Sequence, residues 1–137
     1  MGRIRKPDID KATSLLLSAE REMAYLEKLP RTEEGAATLI RSTYENFRML
    51  GEAALFSKGF EEEKDTHKQM IDALIFTDTE TKRPIVILQE LRSIRHKISY
   101  DGYWPLKTDL DFVLSIKNDL WIALLNEVKK IIKSKRQ

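Results

Sequence analysis

Apolar residues recur along this chain at intervals of three and four, and nowhere do they alternate convincingly at two, so the pattern predicts helices throughout. From about Asp8 to Leu29, the residues Ile9, Ala12, Leu16, Ala19, Met23 and Leu26 form one stripe. Pro30 cannot continue a helix and ends it. Thr32 is suited to N-cap a second helix, with Glu33 and Glu34 at the positive end of its dipole. That helix carries Leu39, Thr43, Phe47, Leu50, Ala54 and Leu55 and runs to Gly59, a natural residue just past a C-terminus. Gly51 in its interior marks either a bend or a close approach by another helix. Beyond the solvated connector Glu61–Lys64, Asp65 or Thr66 caps a short third helix bearing Met70, Ile71, Leu74 and Ile75. Thr77 to Arg83 reads as a polar loop. Pro84 suits the first turn of a fourth helix, which Asp101 and Gly102 stop. The partly β-branched run Val86, Ile87 and Leu88 has no partner strand and is assigned to that fourth helix. Leu106, Leu110, Val113, Leu120 or Trp121, Leu124, Val128 and Ile131 mark a long fifth helix.

The expected fold is therefore all-α, a single domain over residues 1–137. It reads as an up-and-down bundle of about five helices, with the two long ones packed antiparallel. At 137 residues one core suffices without staples. The absence of cysteine removes disulfides, thiol catalysis and thiolate metal ligands, and fits a cytoplasmic protein. Two histidines far apart in sequence give no zinc-ligand spacing, so neither a metal nor another cofactor is expected. No apolar run approaches the ~20 residues needed to cross a bilayer, so no membrane association is expected. The net charge of +2 announces no polyanion partner by itself. The basic residues near the ends, Arg3, Arg5 and Lys6, then Lys129, Lys130, Lys133, Lys135 and Arg136, read first as solvated termini and second as phosphate contacts.

The fourth helix is where the composition becomes unusual. Leu88, Leu91, Ile94 or Arg95, and Ile98 mark its apolar face, and Arg92, Arg95, His96, Ser99 and Tyr100 crowd beside or into it. Arginine, histidine and tyrosine offer more chemistry than the Lys and Glu that ordinarily solvate a helix. Helical spacing pairs Arg92 with His96, His96 with Tyr100, and Arg95 with Ser99. The set could line a phosphate-binding patch. It could equally be structural, with Arg92 paired to Glu90, Asp109 or Asp111. Tyr100, Tyr103 and Trp104 are then expected to close the end of the bundle over its core, stacking on a base being their other use. Trp121 reads as core or dimer interface, and His67 as a surface or capping residue.

Two segments together resemble the HEPN superfamily of small helical bundles from prokaryotic defence and toxin–antitoxin systems. The first is Tyr44 to Gly59 followed by Thr66 to Leu74, which is similar to the long HEPN helix and the start of the next. The second is Leu91 to Tyr100, which looks like the signature helix. The resemblance covers roughly residues 36–130. It implies a homodimer with the signature from both subunits at the interface, and in active members a metal-independent ribonuclease. In that signature an Arg is followed by a polar residue, and four to six residues stand between the Arg and a His. Arg95 takes the Arg place and His96 the polar place, but Tyr100 stands where the His belongs. Starting from Arg92 instead brings His96 one residue too soon. The chain thus departs from the pattern in either register. The resemblance implies Arg95, His96 and Tyr100 as the catalytic candidates and Arg92, Arg95 and Ser99 as the anion-binding set. RNA or nucleotide phosphate would be the ligand, with cleavage weak or degenerate. The alternatives are a non-catalytic structural homodimer and the partner of a nucleotidyltransferase antitoxin.

Overall fold

The computed structural model describes residues 6–59 and 66–136. The acidic connector, Asp65 and the first two arginines lie outside the described residues, as does the His67 side chain. Five α-helices and one 3₁₀ turn account for the regular structure, and among the described residues there is no strand. Helix α1 is Ile9–Leu26, α2 is Ala36–Lys58, α3 is Thr66–Ile75, α4 is Leu88–Tyr100 and α5 is Lys107–Arg136. The 3₁₀ turn Ile85–Ile87 leads directly into α4, so the β-branched run is helical, as its lack of a partner requires.

The helix limits follow local chemistry. The Asp8 carboxylate accepts the backbone N–H of Lys11 at 3.0 Å and opens α1. Its last turn tightens, with Lys28 donating to the Tyr25 carbonyl and Leu29 to the Leu26 carbonyl, so α1 stops three residues short of the expected Leu29. Thr32 does not cap α2. Its hydroxyl accepts from Gly35 N–H and closes a turn that delays the helix to Ala36. Glu33 is used elsewhere, accepting Lys107 N–H at the start of α5. Gly59 ends α2 at φ 87° and Gly102 ends α4 at φ 69°, both in the left-handed region.

The α2 helix is the hub, packed against each of the other four. Ala12, Leu16, Ala19 and Met23 of α1 meet Leu39, Ile40, Phe47, Leu50 and Ala54 of α2. On the other side Leu110, Val113, Ile116, Leu120, Leu124 and Val128 of α5 complete the core. Trp121 is buried there, edge-on to Phe47 with ring centroids 5.1 Å apart. Gly51 marks a close approach rather than a bend, since a Cβ there would lie 2.0 Å from the Met70 carbonyl oxygen of α3.

Helix directions correct one expectation. Asp8 N–H donates to the Phe56 carbonyl and Met23 meets Asn46, so α1 and α2 are antiparallel. Glu27 pairs with Lys117, Glu20 with Lys129 and Asp10 with Arg136, so α1 and α5 are antiparallel too. The two long helices α2 and α5 therefore run parallel: their starts meet at Glu33 and Lys107, and Phe47 meets Trp121 further along. The cause is α3. Ten residues span only about 15 Å, too short to carry the chain to the far end of the bundle. The up-and-down alternation is carried by α1, α2, α4 and α5.

Candidate functional site

The α4 helix lays Leu88, Leu91 and Ile98 into the core and turns a flank of Arg92, Arg95 and Ser99 toward α2. There the buried ring of Tyr44 receives the Arg95 guanidinium, 5.2 Å from its centroid. The exposed ring of Tyr100 lies 5.4 Å from the same guanidinium, so Arg95 is held by two aromatic rings. His96 packs against Tyr100 as well, with centroids 4.8 Å apart and planes tilted by 44°. Arg92 makes a long hydrogen bond to Gln89 at 3.4 Å, and Gln89 makes one of equal length to Asp72 of α3.

Among the described residues, neither Arg92 nor Arg95 has a carboxylate within ion-pair distance. The acids expected to neutralise Arg92 are engaged elsewhere or point away. Asp109 accepts from the Tyr103 hydroxyl at 2.6 Å and from Leu106 N–H at 2.8 Å, and Asp111 pairs with Lys107 at 2.8 Å. Glu90 sits exposed on the opposite side of α4. Arg48, one turn beyond Tyr44 on α2, does have acids, Glu45 and the buried Glu52. Positive charge without a carboxylate partner thus lies on the α4 side of this flank. Burial raises the Tyr44 phenol above its ordinary 10.0, while Arg95, then Arg92 and Arg48, pull it down. Tyr44 is consequently neutral at physiological pH.

The structure sets His96 against Tyr100, a pair that helical spacing predicts, and places Arg95 over Tyr100 as well, a contact that the spacing did not name. It sets Arg92 on the same flank but directs its guanidinium toward Gln89, and it leaves Ser99 exposed. Tyr44 and Arg48 are not among the residues that the sequence singles out, although their i, i+4 spacing on α2 places both on one flank. The aromatics of the α4–α5 connection overturn the expectation that they cover the core. Tyr100 and Trp104 are each 66% exposed and Leu106 54%, and only Pro105 of that turn is buried. The turn explains it. Tyr103 N–H donates to the Lys97 carbonyl at 3.1 Å and its hydroxyl is held by Asp109, which fixes the connection outside the bundle. The Asp109 bond also raises the Tyr103 phenol.

Two other features lie apart from this flank. An open depression of about 580 Å³ separates Glu80, Thr81 and Lys82 from Asn118, Asp119 and Ile122 of α5, and shares no residue with the Arg95 cluster. Among the described residues, no group of three His, Asp or Glu side chains is placed to hold a metal ion, and no helix is long and apolar enough to cross a membrane. Comparison with known proteins finds no matching family model, no matching curated protein and no matching solved structure.

Proposed function

We propose that the chain is a HEPN-like module whose α2–α4 flank binds the phosphate of RNA or of a nucleotide, with Arg95 as the principal ligand. One observation carries the reading. Arg95 lies over the rings of Tyr44 and Tyr100 and has no carboxylate partner among the described residues, which leaves its N–H donors for a ligand. Those donors match two oxygens of a phosphate. Arg92 supplies a second cation on the same flank, and Ser99 a hydroxyl. In a toxin–antitoxin or defence setting the module acts as a homodimer with α4 near the two-fold axis, and a nucleotidyltransferase-type antitoxin is its natural partner.

Metal-independent cleavage, on this reading, is weak. An imidazole is the side chain suited to proton transfer near neutral pH, and a phenol is a poor substitute for the second one that the family signature would supply. The test is labelled RNA incubated with the protein in EDTA, beside Arg95→Ala and His96→Ala. The expected result is retention of RNA at low salt by wild type, its loss in Arg95→Ala, and slow or undetectable cleavage. Tyr100→His restores the family spacing and should raise cleavage by about 10²–10⁴-fold, the usual worth of a general acid or base. Failure of wild type to retain RNA at low salt would falsify the reading.

The exposed Tyr100, Trp104 and Leu106 favour a second reading, a non-catalytic structural homodimer joined through this corner. RNA retention separates the two, since both readings give a dimer by sedimentation but a purely structural dimer would not bind RNA.

A further inference from the structure

We propose that Tyr100 and Trp104 form a base-stacking platform, so that the ligand is an unpaired stretch of RNA with a phosphate on Arg95 and a neighbouring base on the exposed indole. The proposal rests on the phosphate reading above and extends it to the form of the nucleic acid. A large apolar side chain in water is ordinary when it stands alone, but Tyr100, Tyr103, Trp104 and Leu106 lie within seven residues, each more than a third exposed. The platform is also rigid. Gly102 adopts the left-handed turn, Tyr103 N–H is tied to the end of α4, Asp109 grips both the Tyr103 hydroxyl and Leu106 N–H, and Pro105 is buried. Little conformational freedom is left for a ligand to remove from this backbone.

Three observations favour a base over a protein partner. The patch adjoins the Arg95 cation: Tyr100 touches Arg95 and His96, and Trp104 follows four residues later, so its α-carbon is at most about 14 Å away. Next, these side chains come from a helix end and a turn. They do not make the i, i+3, i+4, i+7 stripe that receives an amphipathic helix. Finally, three of the carboxylates near the platform are engaged within the chain: Asp109 as above, Asp111 by Lys107, and Glu33 by Lys107 N–H. They are not arrayed to recruit a basic partner. The exposed Asp101 at the edge repels phosphate from the turn itself, so the sugar–phosphate chain stays on the Arg95 side while a base reaches the ring faces. In a duplex the bases are already stacked on one another and their faces cannot be offered.

The two tryptophans make the test direct, because Trp121 is buried and Trp104 is open to solvent. Three probes are titrated: a single-stranded oligoadenylate, its blunt duplex with oligouridylate, and inorganic polyphosphate. The single strand should quench tryptophan emission, shield it from acrylamide, and bind more tightly than the duplex. Trp104→Ala should weaken the single strand about tenfold, within the range of one base stacked on an aromatic ring, and leave polyphosphate unaffected. Arg95→Ala should weaken both. If Arg95→Ala weakens the oligoadenylate but Trp104→Ala does not, the stacking proposal is overturned while the phosphate reading stands. If no probe binds at low salt, both fail. If Trp104→Ala instead abolishes a dimer seen by sedimentation, the patch is a protein contact and the proposal is overturned.

Discussion

Trp121 and Trp104 define two different regions of this molecule. Trp121 is 5% exposed, edge-on to Phe47 in the seam between α2 and α5, whereas Trp104 is 66% exposed on the turn after α4. The surroundings differ in the same sense. Along the seam of α1 and α5 the charges that meet are paired: Glu20 with Lys129, Glu27 with the buried Lys117, and Asp10 with Arg136. On the α4 flank two arginines lack carboxylates among the described residues, and large side chains stand in water. Exposed ion pairs contribute only about 0–1 kcal/mol each, so stability alone does not explain the contrast. Arg95 thus differs from Lys117, Lys129 and Arg136 in resting on two tyrosines rather than on a carboxylate.

The comparison is broken most directly at the buried tryptophan. Trp121→Ala removes the largest side chain of the seam and leaves a cavity against Phe47, and should cost about 3–5 kcal/mol. Urea unfolding would show it as a fall in the transition midpoint. A loss under about 1 kcal/mol would mean that this seam is not the core.

Gly51→Ala comes next. Alanine in a helix interior is favoured over glycine by about 1 kcal/mol, but the new methyl would stand 2.0 Å from the Met70 carbonyl, a backbone atom that cannot swing aside. Overpacking of this kind typically costs about 1–3 kcal/mol and should exceed the gain, with a net loss of up to about 2 kcal/mol. Hydrogen exchange should quicken first in α3. Equal protection of α3 in both proteins would show that α2 and α3 are not in backbone contact.

Much of the buried region is legible in the sequence, and little of the other is. Periodicity names the buried face of a helix, so Leu16, Phe47, Leu110 and Leu124 can be placed inside from spacing alone. It does not name the helix that face meets. That is why the parallel arrangement of α2 and α5, which turns on the shortness of α3, runs against the antiparallel packing that the pattern predicts. The cluster of Arg95, His96 and Tyr100 is visible because helical spacing is local. Tyr44 is not, because it reaches Arg95 across 51 residues of sequence. The Tyr103–Trp104 turn has no period at all. Its outward direction depends on a left-handed Gly102 and a hydrogen bond to Asp109, neither of which hydrophobicity encodes.

Tyr44 joins the two regions, ring in the core and phenol beside the arginines, and it makes a smaller, pH-dependent prediction. Burial raises its folded pKa above 10.0, so above pH 10 the unfolded chain gives up this proton before the folded one does. The folded state then holds more protons, and stability falls as pH rises from about 10 through the raised value. Tyr44→Phe should flatten that loss when urea midpoints at about pH 9 and about pH 11 are compared. An identical alkaline decline in both proteins would place the phenol in water.

The smallest effect is expected at Trp104, and it is the sharpest test of the contrast. The turn is held by Gly102, by the Tyr103 N–H and hydroxyl, by Asp109 and by buried Pro105, and none of these bonds involves the indole. Trp104→Ala should therefore change stability by no more than about 0.5 kcal/mol. With the solvent-exposed indole gone, the remaining emission comes from Trp121 alone and should shift to shorter wavelength. Acrylamide should quench it poorly. A destabilisation comparable to that of Trp121→Ala would show that Trp104 is covered in solution, by its own chain or by a second copy. Unchanged stability together with a lost affinity for single-stranded RNA would separate ligand binding from folding at one residue, because the folded state would then have given up a contact it does not need.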